Sequence, residues 1–255
     1  MQPAPLRLSL CTCNLWNTER WPEREPALRQ FLGLFAPDIL GVQELRAETR
    51  DCIDGVLATH ARVVDDFAGW TCESNLWWHD GLLEHVAHGA EDYGSHEATR
   101  KLFWVRLRRR DNGATLVAAT AHLTHTSHPD EAATGHSPRI AQTRAIVAAL
   151  EEIAWAREPV WFMGDFNDPY QPTSILHEAG FPSCFAALGL QPPPTFPAIP
   201  AANKAAGEHQ YNACFDWITA RGAVRPVAAH SPHMFAGDLS PADHWPIVAV
   251  YDLGA

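Results

Sequence analysis

Apolar and polar residues alternate over residues 6–13, and this period of two predicts a β-strand at the start of the chain. Over residues 23–36 the apolar residues recur with helical spacing, which predicts an amphipathic helix that ends before Pro37. Further helices are predicted at about residues 46–58 and over residues 137–154. Short segments rich in apolar, aromatic or β-branched residues predict the other strands, at residues 39–43, 60–66, 76–86, 101–108, 114–122, 159–163, 214–219 and 246–251.

The mixture of strands and helices, with some strands following one another directly, predicts an α/β or α+β sandwich rather than an all-parallel fold. Residues 191–212 differ in composition, since they are rich in proline at the start and polar further on. Only about 40 residues follow them, too few for a second core, so we interpret residues 1–255 as a single domain. The segment 191–212 is predicted to be a mobile flap whose Thr195, Phe196 and Tyr211 contact a substrate.

The balance of charges limits the kinds of partner that the chain can bind. It has 19 Lys plus Arg residues and 30 Asp plus Glu residues, which gives a formal charge of −11. A protein that grips long nucleic acid neutralises many phosphates, so this balance predicts weak binding to long duplex DNA. A smaller phosphate-bearing substrate is compatible with the charge, because a bound divalent cation can supply positive charge locally.

The sequence gives no signal for export or for a membrane span. Its first residues lack both a basic segment and a clean apolar segment, and there is no apolar run of about 18 residues. The six cysteines are scattered and form no CxxC pair, which favours reduced, mostly buried thiols. We therefore predict a cytoplasmic protein, and the sequence leaves the oligomeric state open.

Carboxylate, amide and imidazole side chains stand at the ends of several apolar strands or inside them. These residues are Asn14, Glu44, His122, Asp165, Asn167, Asp216, Asp243 and His244. Apolar strands hold their terminal side chains rigidly, which is what a preorganised site requires. A cap or a turn explains any one of these residues, but their number favours a common site.

Hydrolysis with a hard divalent cation fits these residue types. Mg²⁺ prefers a few carboxylate and amide oxygens, so Glu44, Asp243 and Asn14 are suitable ligands, whereas zinc favours clustered His and Cys. Asp216 lies between two aromatic residues and needs a partner if it is buried, and it could orient His244. The absence of a GxSxG motif favours water over a serine nucleophile.

A histidine-rich segment raises the alternative of a second metal site. His122, His125 and His128 recur at every third position, and His136 follows shortly after. Imidazoles suit Zn²⁺ or Ni²⁺. We favour a loop with incidental histidines, because neither a cysteine nor a helix-spaced histidine pair accompanies them.

Four motifs occur in a fixed order along nearly the whole chain: QE after an apolar strand, GDFN, an aspartate within an apolar strand, and DH before the last strand. Their order and spacing resemble the endonuclease/exonuclease/phosphatase superfamily. The resemblance implies a four-layer α/β/β/α sandwich of two mixed β-sheets flanked by helices. It also implies metal-dependent cleavage of a phosphoester, with Glu44 as the main metal ligand assisted by Asn14 and Asp243.

The resemblance also implies roles for the other polar residues at the strand ends. Asp165 and Asn167 would position the attacking water and the phosphate, and His122 would contact the phosphate. Asp216 would orient His244. Either His244 or Asp165 would activate the water, and the sequence leaves this alternative open.

The chain departs from the superfamily pattern at several places. Ala242 stands where the superfamily usually has serine, and ESNLWW replaces a GxAIxSR-like strand. Asn75 in that segment is predicted to face the substrate. Arg139 and Gln142 resemble an RxxQ pattern of the deadenylase-like branch, which makes Arg139 a candidate substrate ligand, although a surface arginine is the simpler interpretation.

The first hypothesis is therefore a phosphodiesterase that depends on Mg²⁺ or Mn²⁺ and uses a metal-activated water. Its substrate would be small or short: an oligonucleotide, a nucleotide-like molecule, a sugar phosphate or a phospholipid head group. A DNA endonuclease or exonuclease is the alternative, and the charge of −11 argues against it. A non-catalytic binding module with this fold is a second alternative, which the retained polar residues disfavour.

Overall fold

The computed structural model describes residues 6–198 and 212–254. Within these ranges the strands are β1 (Leu6–Asn14), β2 (Ile39–Gln43), β3 (His60–Arg62), β4 (Ser74–His79), β5 (Leu83–Glu91), β6 (Leu102–Arg109), β7 (Thr115–His122), β8 (Val160–Asp165), β9 (Asp216–Arg221), β10 (Val224–His230) and β11 (Ile247–Leu253). The helices are α1 (Glu25–Phe35), α2 (Ala47–Val56), α3 (Gly69–Cys72), α4 (Pro129–Thr134), α5 (Pro138–Ile153), α6 (Gln171–Glu178) and α7 (Cys184–Leu188).

The strands form two mixed sheets. The first sheet has six strands in the order β10-β11-β1-β2-β4-β3, and the second has five in the order β5-β6-β7-β8-β9. The pairs β1–β2 and β7–β8 are parallel, and the other neighbours are antiparallel. This arrangement confirms the predicted sandwich of two mixed sheets.

Helices cover the outer faces of both sheets. Leu28 and Phe31 of α1 and Ile53 of α2 share a buried cluster with the first sheet. Ile146 and Leu150 of α5 belong to the buried cluster of the second sheet. Burying side chains of this size contributes about 1.5–3 kcal/mol each, so the helices and sheets stabilise one another. Within the described ranges, none of the helices combines the length and the hydrophobicity that a membrane crossing requires.

Two features bring the two sheets close together just before the strand ends that carry the polar residues. Gly41 of β2 faces Met163 of β8, and a Cβ atom at Gly41 would lie 3.0 Å from the Met163 Sδ atom. Beside it, the buried Gln43 side chain donates through Nε2 to Thr120 Oγ1 of the opposite sheet at 2.8 Å and to Thr12 Oγ1 at 3.2 Å. Because these buried polar groups satisfy one another, they fix the position of one sheet against the other.

The structure differs from the predicted elements in several places, and its short helices α3, α4, α6 and α7 were not predicted. The strand predicted at residues 76–86 is divided by a turn at residues 80–82, and its halves, β4 and β5, lie in different sheets. Strand β10 was not predicted, because it is an edge strand whose residues are only partly buried and carry little apolar alternation. Most of the predicted flap, including Tyr211, lies outside the described residues.

Candidate active site

Eight polar residues predicted from the strand ends lie at one end of the sandwich, and the topology explains why. Parallel strands end at the same edge of a sheet, so β1 and β2 bring Asn14 close to Glu44. In the second sheet, His122, Asp165 and Asp216 occupy one row across three neighbouring strands. Side chains in such a row share one face of the sheet, which directs them toward a common point.

Asn14 links the carboxylates of the two sheets. Its Nδ2 atom is 3.2 Å from Glu44 Oε1 and 2.9 Å from Asp165 Oδ2. Its Oδ1 atom accepts a hydrogen bond from the backbone N–H of Trp16 at 2.9 Å, and the Asn17 amide donates to Glu44 Oε2. In this orientation Asn14 positions the two carboxylates through its nitrogen, whereas the sequence predicts a metal ligand that would use the oxygen.

The predicted Asp216–His244 pair is present and buried. His244 Nδ1 lies 2.8 Å from Asp216 Oδ2, and His244 Nε2 lies 3.7 Å from Asp165 Oδ2. Burial by itself would lower the pKa of His244, but the carboxylates of Asp216 and Asp165 outweigh it and raise that pKa well above the usual value. The neighbouring carboxylates therefore favour the imidazolium form of His244.

His122 has an acidic partner that sequence reasoning missed. Its Nδ1 atom is 3.3 Å from Glu73 Oε1, and its Nε2 atom is 3.5 Å from Asp165 Oδ2. Arg100 holds the Glu73 carboxylate with Nε at 3.1 Å. Burial and Arg100 oppose the charge of His122, but Glu73 and Asp165 outweigh them and raise the pKa of the imidazole. A signal was present, since Glu73 directly precedes the apolar strand β4.

The Asp165 carboxylate is at the centre of the site. Its Oδ2 atom faces the imidazoles of His122 and His244, and its Oδ1 atom accepts the backbone N–H of Asn167 at 2.9 Å. Asn167 has a left-handed backbone, with φ of 51°, and its side-chain amide donates to the carbonyl of Leu123 at 3.0 Å. Asn167 therefore holds the loop after β8 in the conformation that directs Asp165 inward.

Asp243 lies among like charges. Its pKa is raised to about 6, first by burial and then by the neighbouring carboxylates of Glu44 and Asp165, while His244 and Arg24 oppose the shift. Asp243 is thus buried beside two further carboxylates, and such a group of oxygen ligands suits a bound cation.

Arg24, which the sequence did not indicate, fixes the two loops beside Asp243. Its fully buried guanidinium donates to the carbonyls of Pro241 and Asn17, both at 2.7 Å, and to that of Trp16 at 3.1 Å. Burial lowers the pKa of Arg24 to about 10, against the attraction of nearby acidic groups such as Asp243. The group is held by carbonyls and is not directed at a substrate.

The structure corrects the predicted role of Asn75. The residue is fully buried, and its Nδ2 atom donates to the carbonyls of Val63 at 3.0 Å and Trp70 at 2.8 Å. Its Oδ1 atom accepts the backbone N–H of Leu76. Because all of these partners are backbone groups, Asn75 holds the chain around β4 and does not face a substrate.

Arg139 is neither a substrate ligand nor a surface residue. Its guanidinium is buried, with Nη1 2.8 Å from the Thr124 carbonyl and Nη2 2.7 Å from Glu131 Oε1. Its Nε atom lies 3.5 Å from Asp168 Oδ2. Gln142 on the same helix face also bonds Thr124, so the two side chains of the RxxQ pattern position the loop that follows His122.

The described start of the predicted flap is packed beside the site. The Phe196 ring centroid is 4.7 Å from that of His244 and 5.8 Å from that of Phe215. Thr195 is fully buried, and its hydroxyl accepts the backbone N–H groups of Phe215 at 2.9 Å and Asp216 at 3.2 Å. Thr195 is therefore a support for Asp216, and its predicted contact with substrate is wrong.

Replacing Thr195 by valine, which has nearly the same shape, is expected to leave these two buried N–H groups without an acceptor. The free energy of unfolding should fall by about 1–3 kcal/mol, as measured by urea denaturation. Thr173→Val, on a partly exposed residue of α6, is the matched control and should change it by less than about 0.5 kcal/mol. An equal change in both variants would contradict the supporting role of Thr195.

Neither a family model nor a curated protein matches the sequence. Solved structures do match: an endonuclease/exonuclease/phosphatase from Bacteroides vulgatus has a TM-score of 0.77 at 16% identity, covering 98% of this chain and 100% of that chain. The protein has the fold of the endonuclease/exonuclease/phosphatase superfamily, as its motifs predicted.

Two further solved structures, of proteins named TDP2 and mannosyl-6-phosphatase, also match this chain. TDP2 of D. rerio, complexed with a single-strand DNA product, has a TM-score of 0.78 at 19% identity, covering 96% of this chain and 99% of that chain. A mannosyl-6-phosphatase of Bacteroides thetaiotaomicron has a TM-score of 0.74 at 14% identity, covering 96% of this chain and 99% of that chain.

Proposed function

We propose that this protein is a divalent-cation-dependent phosphoester hydrolase that uses water as its nucleophile. The observation that carries the proposal is the meeting of the acidic residues Glu44, Asp165 and Asp243 with two buried imidazoles, whose pKa values nearby carboxylates raise, at one edge of the sandwich. A phosphate centre needs positive charge on its oxygens and a group that accepts a proton from water. The site contains side chains for both tasks.

The donor set suits a hard cation. Glu44 and Asp243 offer carboxylate oxygens next to Asp165, and burial, followed by repulsion from Glu44 and Asp165, raises the pKa of Asp243 to about 6. Mg²⁺ or Mn²⁺ binds such oxygens, and when bound it would neutralise charge on the phosphate and on the leaving oxygen. Asn14 and Asn17 hold the Glu44 carboxylate in place for this purpose.

The protein's own side chains would orient the phosphate and handle the proton. Asp216 holds His244, and Glu73 holds His122, so that both imidazoles point their Nε2 atoms toward Asp165. In the protonated form, which their raised pKa values favour, they can donate hydrogen bonds to phosphate oxygens. Because the carboxylates beside His244 favour its protonated form, we assign Asp165 as the group that accepts a hydrogen bond from the attacking water.

The structural neighbours support the class of reaction. One is named a phosphatase, and another was determined with a single-strand DNA product. A short substrate, such as an oligonucleotide, a nucleotide-like molecule, a sugar phosphate or a phospholipid head group, fits this chain best, since its charge of −11 disfavours an extended polyanion.

The basic segment at residues 106–110 does not change this conclusion. Acidic side chains neutralise its arginines, and the segment lies far from the site. Arg106 pairs with Glu158 at 3.0 Å, and Arg109 pairs with Asp111 at 2.7 Å. This end of β6 is opposite to the site, since Phe103 at the other end pairs with Thr120, two residues before His122. The run therefore offers little free positive charge to a nucleic acid at the site.

We accordingly expect weak binding to long duplex DNA at physiological salt, with a dissociation constant in the range of about 10⁻⁴ M or weaker. Fluorescence anisotropy with a random duplex, repeated at several salt concentrations, measures it. A submicromolar affinity that falls steeply with salt would contradict the expectation and would favour the alternative of a DNA endonuclease.

The proposal is tested with a panel of phosphomonoesters and phosphodiesters, each with Mg²⁺, Mn²⁺ or a chelator. At least one compound should be hydrolysed with a cation, and the chelator and the Asp165→Asn variant should both stop the reaction. Binding of a phosphoester without turnover in any of these conditions would instead identify a non-catalytic binding module.

A further inference from the structure

Two loops border the His122 side of the site and support it directly. Residues 92–101 connect β5 to β6, and residues 123–128 connect β7 to α4. Tyr93 of the first loop donates its hydroxyl hydrogen bond to the His122 carbonyl at 2.5 Å, and Arg100 of the same loop holds Glu73. Any interaction that joined the two loops would therefore act on the surroundings of His122.

Three potential metal ligands from these loops and from α4 meet at the surface. His96 belongs to the first loop, His128 ends the second, and Asp130 lies in the first turn of α4; their ligand atoms all lie within 4.8 Å of one another. His96 Nε2 is 3.5 Å from Asp130 Oδ2. The imidazole rings are stacked, with centroids 4.4 Å apart and planes at 14°.

The geometry points to a transition-metal site at His96, His128 and Asp130, and we propose that it binds Zn²⁺. Two imidazoles and one carboxylate are a common donor set for this ion, with further positions left to water. Bonds of about 2.0 Å in a tetrahedral arrangement separate ligand atoms by about 3.3 Å, close to the distance between His96 and Asp130.

The side chains of His96 and Asp130 have the freedom to close around an ion beside His128. The side chains of His96 and Asp130 are 44% and 62% exposed, and that of His128 is 22% exposed. Stacked rings cannot direct nitrogens at one ion, so binding requires the exposed His96 ring to turn about its side-chain bonds, while His128, which caps α4 through Nδ1, would bind through Nε2. The sequence analysis favoured incidental histidines because neither a cysteine nor a helix-spaced histidine pair accompanies them, and it did not consider His96, which lies 32 positions before His128.

This site is separate from the phosphoesterase site and would bind a different kind of ion. It shares no residue with Glu44, Asp243 or Asp165, and its nitrogens favour a softer cation than Mg²⁺. A bound Zn²⁺ would join residues 92–101 to residues 123–128. It would thereby hold the loops from which Tyr93 and Arg100 support His122.

Calorimetric titration of the full chain with Zn²⁺, in the presence of excess Mg²⁺, tests the proposal. Relative to the unmodified protein, His96→Ala and His128→Ala should each lower the number of bound Zn²⁺ ions by one or weaken that site by at least about tenfold. His177→Ala is the matched control, because His177 is an exposed histidine on α6, outside both loops.

Asp130→Asn provides a second test that keeps the side-chain shape and removes the charge. It should also weaken Zn²⁺ binding by about tenfold or more, and Zn²⁺ should raise the Tm of the unmodified protein more than that of the variant. Unchanged stoichiometry and affinity in all three variants would overturn the proposal. Loss of binding in His177→Ala to the same extent would overturn it as well.

Discussion

Replacing Glu44 by glutamine is expected to lower kcat/KM for phosphoester hydrolysis by about 10²–10³-fold and to abolish tight binding of Mg²⁺. Glu44 stands at the end of β2 in a left-handed conformation, with φ of 56°, and two asparagines direct its oxygens into the site. Glutamine keeps the size of the side chain and removes its negative charge. The expected losses of kcat/KM and of Mg²⁺ affinity would therefore result from the missing negative charge of Glu44.

Isothermal calorimetry with Mg²⁺ and steady-state kinetics across a range of Mg²⁺ concentrations measure these two effects. Glu48→Gln is the matched control, since Glu48 is an exposed residue in the first turn of α2, four positions further along. Glu48→Gln should change neither the Mg²⁺ affinity nor kcat/KM appreciably. Unchanged Mg²⁺ affinity in the Glu44→Gln variant would refute the assignment of Glu44 as the main ligand.

Asp216→Asn and His244→Ala are each expected to lower kcat by about 10²-fold or more. Asp216 favours the protonated form of His244 across 2.8 Å, so Asp216→Asn weakens the same imidazolium that His244→Ala removes. Because the two residues act together, the double variant should lose less than the product of the single effects. In Asp216→Asn the pKa of His244, measured by NMR, should fall.

A structural role of the pair would give a different pattern. Both variants would then lower Tm while the folded fraction kept nearly full kcat, and that result would contradict the catalytic assignment. Asp65→Asn serves as the control: Asp65 also pairs with a histidine, His88, at 3.2 Å, but the pair is exposed and lies outside the site. This variant should leave kcat unchanged.

The convergence of the polar strand ends was predictable from the sequence. An apolar strand that stops at a carboxylate or an amide places that group at a sheet edge, and parallel neighbours share the edge. Asn14 with Glu44, and His122 with Asp165, follow this rule directly. The two-sheet architecture followed from the order of the motifs, because that order resembled a known superfamily.

Side-chain partners were predictable only in part, because a sequence does not show what a polar group meets after folding. Asn75 and Asn14 are both asparagines at strand ends, yet one bonds only backbone groups while the other links carboxylates. Glu73 lies 49 positions from His122, and no local spacing joins them. Arg24 is buried by loops whose paths the apolar pattern does not determine.

The carboxylates of the site come from both sheets, which are already joined beneath it by Gln43 and Thr120. A cation that binds Glu44 beside Asp165 would therefore bind only when the two halves of the sandwich have docked. Its binding free energy would add to the stability of the whole fold, by about 2.7 kcal/mol at a concentration one hundred times its Kd. Protein purified in a chelator would then resist heat and proteases less well than the same chain supplied with its ion.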